Sequence, residues 1–198
     1  MIICEDLLLS HGAELQNYNS GEFIFEEGAT PRYYFQIRRG TVVINSILDD
    51  GKEFIHGIPF EGHCFAETYV FHNSKYAINA ITVTACEIIR IEKSKFFTFL
   101  LKHPEQILKI YSYTADRMHY RYLTSAAISF RDPLTKIDLV MNYLKDYFGC
   151  KGKHSFLIPY TRQQLASLTG LRIETVIRTV KKMEKLDMVK IDSSKIYY

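Results

Sequence analysis

The chain has 198 residues, 47% of them apolar and 24% charged, with only 10 Gly and 5 Pro; this composition can bury a core and excludes disordered, collagen-like and low-complexity classes. No stretch approaches 18 consecutive apolar residues, so no membrane span is expected, and the opening MIICEDLLLSHG meets Glu5 and Asp6 without a basic start, unlike a secretory signal. The net charge of +3 is unevenly placed: residues 150–198 carry 10 Lys+Arg against 4 Asp+Glu, while residues 1–149 carry 15 against 18, a footprint of a nucleic-acid-binding module on a mildly acidic body.

The first hundred residues read as all-β. Gly28, Gly40, Gly51 and Gly62 recur at intervals of 12, 11 and 11, separated by the runs EFIFEE, YYFQIRR, TVVINSIL and KEFIHGI. Short strands with regular turn residues predict a sandwich or barrel. Asp49-Asp50-Gly51-Lys52 is a hairpin turn, because Asp-Gly tolerates the positive φ of tight turns. Further strands are expected at 77–84 and 86–92, after which Ser94 is the expected cap of a short helix, KFFTFLLKH, ending near His103-Pro104. Residues 1–103 form the first expected domain.

From Pro104 a long helix is expected, since proline is tolerated in a first turn. Ile107, Ile110, Tyr111, Thr114, Met118, Ser125 and Ile128 follow one face, interrupted by Thr114, Arg117 and Arg121. A helix of about 25 residues spans roughly 37 Å, too long for so small a body without a partner, so residues 104–130 read as a dimerisation helix. Phe130-Arg131-Asp132-Pro133 breaks it and forms a hinge, with Asp132 placed to cap the next helix. In LTKIDLVMNYLKDYF, Leu134, Ile137, Val140, Met141, Leu144 and Phe148 share a face; GCKGKHS is a loop.

The sharpest signal is YTRQQLASLTGLRIETVIRTV, residues 160–180. A helix-turn-helix needs a small residue where its helices cross, a turn residue four positions on, and a branched apolar residue six further on. Ala166, Gly170 and Val176 meet all three. Thr161 starts the first helix, Leu165 and Leu168 face inward, and Leu171 closes the turn. The second helix then offers Arg172, Ile173, Glu174, Thr175, Ile177 and Arg178 to base edges; arginine donates bidentately to guanine, and glutamate accepts from cytosine N4. Arg162, Lys181 and Lys182 add basic residues to the expected DNA-facing set. LDMVKIDSSKIYY reads as two short strands around Asp192-Ser193-Ser194, a wing. Residues 131–198 are therefore a winged helix-turn-helix for double-stranded DNA.

In this order, a Gly-punctuated β-roll, a long helix, a hinge and a winged helix-turn-helix resemble the Crp/Fnr family of bacterial transcription regulators. TRQQLA…TG…ETVIR and EGHCFAE are its most specific segments here. With no signal sequence or membrane span expected, a cytoplasmic location is the default, and the resemblance implies an α+β fold with a cyclic-nucleotide-binding-like double-stranded β-roll, a homodimer, contact with RNA polymerase and recognition of a two-fold-symmetric promoter site. It also implies an Arg-Glu pair followed by an Arg one turn on. Glu174 and Arg178 match, Ile173 stands in place of the first Arg, and Arg172 is its nearest substitute. Thr161, Gln163 and Thr175 match phosphate-contact positions.

The resemblance further implies an effector pocket at Ala66, Glu67, Lys75, Tyr76 and Ala77, with Arg121 and Tyr122 at the positions that contact the base. Glu67 keeps an acceptor for a ribose hydroxyl and Ala77 keeps the small residue. Lys75 lacks the guanidinium fork, and the Tyr76 ring is large enough to fill the place of a cyclic phosphate. A cyclic nucleotide is thus disfavoured; the alternatives are another small effector, or no effector and a plain Glu67–Lys75 ion pair. Cys4, Cys64, Cys86 and Cys150 form no CxxC and read as reduced thiols, so no iron–sulfur cluster is expected. His63, His72 and His119 have no distinctive context for haem. His56 and His63 lack cupin metal spacing, and no P-loop or GxSxG occurs, so no metal site and no enzyme is expected.

Overall fold

A computed structural model describes residues 1–72, 74–129 and 131–198, apart from the side chains of 124 and 126–129. Phe130 of the expected hinge and the Ile128 side chain lie outside these. The chain divides into two compact units, Met1–Arg117 and Met118–Tyr198.

The first unit opens with α1 (Glu5–Ser10) and continues through β1 (Glu14–Tyr18), β2 (Phe23–Phe25), β3 (Tyr33–Arg39), β4 (Val42–Ile47), β5 (Glu53–Gly57) and β6 (Cys64–Phe65) to α2 (Thr68–Phe71). Next come β7 (Asn79–Thr82), β8 (Cys86–Glu92) and α3 (Lys93–Lys102). The strands make two four-stranded antiparallel sheets, ordered β1-β8-β3-β6 and β2-β7-β4-β5. This is the double-stranded roll.

The sheet containing β3 and β8 is buried on both faces, which explains why these strands read as continuous apolar runs. Alternate residues go opposite ways. Phe35, Ile37 and Ile88 enter the cluster inside the roll, with Val42, Ile44 and Phe65. Tyr34, Ile89 and Ile91 enter a second cluster with Leu8, Phe96, Phe99 and Ile110, from the helices that cover the sheet. Buried Gln36 ties down the N-terminal segment as a strand would: its Oε1 accepts from the Ile3 N–H at 3.0 Å and its Nε2 donates to the Ile3 carbonyl at 2.8 Å. The β4–β5 hairpin turns where Asp-Gly places it, with Gly51 at φ +78°. The turn bond runs from Gly51 N–H to the Leu48 carbonyl, 2.8 Å.

Two local expectations are corrected. Ser94 does not cap α3: Glu92 is the N-cap, and the Ser94 hydroxyl instead donates to the Glu92 carboxylate at 3.1 Å. The reason is that β8 stays paired to β3 as far as Glu92, so the helix begins at the first residue past the ladder. In α4 (Glu105–Ser129) the apolar face is split. Gln106 and Ile110 are buried, and the Tyr113 hydroxyl donates to the Cys64 carbonyl at 3.0 Å, whereas Ile107 and Tyr111 are exposed.

In the second unit, α5 (Pro133–Tyr147) starts as the sequence dictates. Pro133 occupies the first turn, and the Asp132 carboxylate accepts from the Thr135 N–H at 3.0 Å. Then come α6 (Arg162–Thr169), α7 (Ile173–Lys185), β9 (Lys190–Asp192) and β10 (Lys195–Tyr197). Ile137, Val140, Met141 and Leu144 join Leu165, Val176, Val180, Met183 and Ile196 in one core. Phe148 is a correction: α5 ends at Tyr147, so Phe148 leaves the buried face, is exposed, and stacks near Phe156 at 5.4 Å between centroids. Beyond the GCKGKHS loop, Phe156 and Tyr198 exchange backbone bonds and the Ile158 N–H donates to the Ile196 carbonyl, adding a third extended segment beside β10.

Candidate DNA-binding surface and effector pocket

The helix-turn-helix is built from local signals. Thr161 and Gln164 form a reciprocal capping box at the start of α6: the Thr161 hydroxyl oxygen accepts from the Gln164 N–H at 3.1 Å, and the Gln164 side-chain carbonyl accepts from the Thr161 N–H at 2.9 Å. The Thr161 hydroxyl proton remains available as a donor. Gly170 ends α6 in the left-handed region at φ +66°, and Leu171 N–H reaches back to the Ala166 carbonyl at 3.1 Å, the bond of a Schellman end. Ala166 and Val176 are buried at the crossing.

On α7 the split between faces is sharp. Val176, Thr179, Val180 and Met183 are buried, while Glu174, Ile177, Arg178, Lys181, Lys182 and Lys185 line a shallow open groove. Arg172 is exposed as the N-cap, and Gln163 is exposed on α6. Ile173 departs from expectation: it is half-buried and packs against the core, because it lies one turn ahead of Val176 on the inward side. Thr175 is also half-buried. Arg162 donates to the Ser194 carbonyl at 2.8 Å, tying α6 to the wing turn. That turn has Ser193 at φ +48° and Ser194 at φ +67°, the two positive values of a type I′ two-residue hairpin loop.

In the roll, Ala66 adopts φ +54° and is buried, and its neighbour Glu67 is 3% exposed. The Glu67 carboxylate does not pair with Lys75, which is exposed. Its two oxygens instead accept from the Arg117 guanidinium at 2.9 Å and from the Thr114 hydroxyl at 3.2 Å. Arg117 also donates to the Cys64 carbonyl at 3.4 Å. Tyr76 is buried and stacks on Phe25 with centroids 3.7 Å apart, and the Tyr69 ring meets its edge at 5.0 Å. Burial, and then the nearby Tyr69 hydroxyl, raise the Tyr76 phenol above its ordinary range. The Ala77 N–H donates to the Tyr69 hydroxyl at 3.1 Å. Ala66, Glu67, Tyr76 and Ala77 are therefore already engaged by their own chain. Arg121 and Tyr122 are exposed on α4, in the second unit. Thr114 and Arg117 are the residues that sequence reasoning did not assign to this pocket.

His63 borders the same region, at 4.1 Å from the Phe60 ring and 5.5 Å from Tyr113. Burial, then the Arg117 cation, then the chain's terminal ammonium push its pKa down to about 4. The unfolded imidazole takes a proton near pH 6.5 and the folded one only near pH 4, so unfolding takes up a proton between these values. The contribution is complete above pH 6.5 and is lost as pH falls through that window. Partial exposure reduces it to about 1–2 kcal/mol. Urea unfolding between pH 7 and pH 4 should show this loss, and His63→Gln should remove that part of the pH dependence.

Residues 15–103 match the cyclic nucleotide-binding domain family, and residues 137–197 match the Crp-like helix-turn-helix domain family. The chain belongs to the Crp/Fnr family. It is 26% identical to the cAMP-activated global transcriptional regulator CRP of Haemophilus influenzae over 93% of this chain and 83% of that protein. It is 22% identical to the nitrogen fixation regulation protein FixK of Bradyrhizobium diazoefficiens, over 85% of this chain and 71% of the relative. The solved c-di-GMP responsive global regulator CLP of Xanthomonas campestris shares the fold with a TM-score of 0.79 at 18% identity, covering 97% and 96% of the two chains. Family membership makes the chain a DNA-binding transcription regulator of the Crp/Fnr type. No described helix is long and apolar enough to cross a membrane.

Proposed function

We propose that this Crp/Fnr protein is a cytoplasmic homodimer that recognises a two-fold-symmetric promoter site through α7 and contacts RNA polymerase as its family does. The observation that carries this reading is the exposed face Glu174, Ile177, Arg178, Lys181, Lys182 and Lys185, held by a capped α6 and a wing pinned through Arg162. Two protomers pair along α4. There Leu108, Tyr111, Ala115, Met118 and Tyr122 recur at spacings of three and four, and all are exposed, the pattern of a two-stranded coiled-coil seam. The pairing sets two α7 helices about 34 Å apart, one helical turn of DNA.

Selection of bound duplexes from a random pool by ligand-free protein tests the reading. A symmetric site should be enriched; recovery of only salt-sensitive, sequence-independent binding would overturn it. Within that site, Arg178→Ala should cost about 1–3 kcal/mol and relax preference at one base pair per half-site. Lys181→Ala should weaken all sequences together and reduce the salt slope by about one.

A second reading concerns control. The Glu67 carboxylate, engaged by Arg117 and Thr114, and the stacked Tyr76 ring favour a regulator that binds DNA without cyclic AMP, either under another effector or with none. A ligand that binds only the folded state at 100 times its Kd adds about 2.7 kcal/mol of stability. Millimolar cyclic AMP should therefore leave the melting temperature unchanged, and a rise of several degrees would reject this reading.

A further inference from the structure

The contact between His11 and His103 lies outside both the expected DNA-facing set and the expected effector pocket. His11 follows α1 and His103 follows α3, each as the helix's C-cap, and their Nε2 atoms stand 3.3 Å apart. The rings are perpendicular with centroids 4.9 Å apart, and each packs at 5.2 Å from Phe99. His11 Nδ1 lies 2.9 Å from the Leu7 carbonyl and 3.2 Å from the Ser10 hydroxyl. A carbonyl only accepts, so Nδ1 is the protonated nitrogen and the neutral ring directs its Nε2 lone pair at His103. On the other side, His103 Nδ1 faces the Glu105 carboxylate at 3.6 Å, within ion-pair reach but longer than a hydrogen bond. The 3.3 Å contact is an Nε2–H···Nε2 hydrogen bond when His103 carries its proton on Nε2, and it offers two lone pairs to one ion when that proton sits on Nδ1.

We propose that His11 and His103 form a two-imidazole site for a late first-row divalent transition metal. Two metal–nitrogen bonds of 2.0–2.1 Å at a tetrahedral angle separate the nitrogens by about 3.3–3.4 Å, which matches the observed spacing. The outward-turned Nδ1 atoms have the partners that metal-bound histidines use to fix orientation, a backbone carbonyl for His11 and a carboxylate for His103. The C-terminal end of α3 adds the negative pole of a helix dipole. Among the described residues no cluster of three or more His, Cys, Asp or Glu occurs, so the protein supplies two ligands and water the remainder. The bound ion would fasten α1 to the corner between α3 and α4. Copper(II) should bind most tightly, then nickel(II), with manganese(II) weakest.

The test is calorimetric titration of the full chain with nickel chloride, zinc chloride and copper chloride, each alone. One equivalent per protomer is expected, reversed by EDTA, with at least a tenfold loss of affinity in His11→Gln and in His103→Asn. His72→Ala, at an exposed histidine elsewhere on the roll, should leave binding unchanged. Histidine side-chain NMR on the unaltered protein with zinc provides a readout that does not depend on how the variants fold. The His11 and His103 nitrogen resonances should shift together and be complete at one equivalent. Shifts confined to other histidines, unsaturable uptake, or full affinity in a folded His103→Asn would overturn the proposal.

Discussion

Replacing Arg117 by alanine is expected to destabilise the first unit by about 3–5 kcal/mol, the cost of stranding a buried charge. Glu67 is 3% exposed and its carboxylate has two side-chain partners, the Arg117 guanidinium at 2.9 Å and the Thr114 hydroxyl at 3.2 Å. Removing the cation leaves one neutral hydrogen bond to offset a buried negative charge. Arg117 also steadies the Cys64 carbonyl at the base of β6. The double substitution Glu67→Leu with Arg117→Met removes both charges and fills the space, so it should recover most of the loss, because a buried ion pair is often matched by apolar groups of similar volume. Urea unfolding of the full chain measures both variants. If the double variant is as unstable as Arg117→Ala, the loss belongs to packing at this position and not to the stranded carboxylate.

How much of this was legible in the sequence depended on how local the signal was. YYFQIRR and CEIIRIE match β3 and β8 residue for residue, because strands buried on both faces read as unbroken apolar runs. β1, ELQNY, escaped: it is a half-exposed edge strand with polar residues on both faces, Glu14 and Gln16 on one and Asn17 on the other. β6 has only two residues and is held by pairing with β3, which no window on its own residues reveals. The short α1 and α2 were missed because each is only about a turn long and lacks a side-chain cap. The wing was readable from Asp192-Ser193-Ser194, while the third segment at Phe156–Ile158 pairs with residues some forty positions on and carries no local mark.

The same distinction governs the sites. Ala166, Gly170 and Val176 lie within eleven positions, and each has a role fixed by the geometry of one turn. Glu67 and Arg117 are 50 positions apart, so Lys75 was the nearer cation to assign. A signal for the correct partner was present all the same. Thr114 and Arg117 interrupt the apolar face of α4 at a spacing of three, which puts both on one side of the helix, and the buried carboxylate they serve accounts for the interruption. Ile173 shows the converse. Placing it among the base-reading residues followed the order of the motif, but the helical repeat sets it with Val176 and Val180 toward the core.

The other large effect concerns the pairing of protomers. Leu108→Glu combined with Met118→Glu is expected to leave a folded monomer whose affinity for the symmetric site is lower by about 30- to 3,000-fold. Both side chains are more than half exposed in the isolated chain, and glutamate is a good helix former, so neither change removes core packing or breaks α4. In a seam of two parallel helices, however, each glutamate would face an apolar residue or its own counterpart across the interface. Specific binding exceeds non-specific binding by about 4–10 kcal/mol for typical regulators. A protein that presents one recognition helix instead of two forfeits about half of that, about 2–5 kcal/mol, and one tenfold step corresponds to about 1.4 kcal/mol. The slope of affinity against salt should also fall by about half, since phosphate contacts are lost with the second module. Sedimentation and titration of a labelled duplex read the two effects separately. A variant that sediments as a monomer yet binds the symmetric site with unchanged affinity and slope would show that each DNA module acts alone, and the exposed stripe on α4 would then need a different partner.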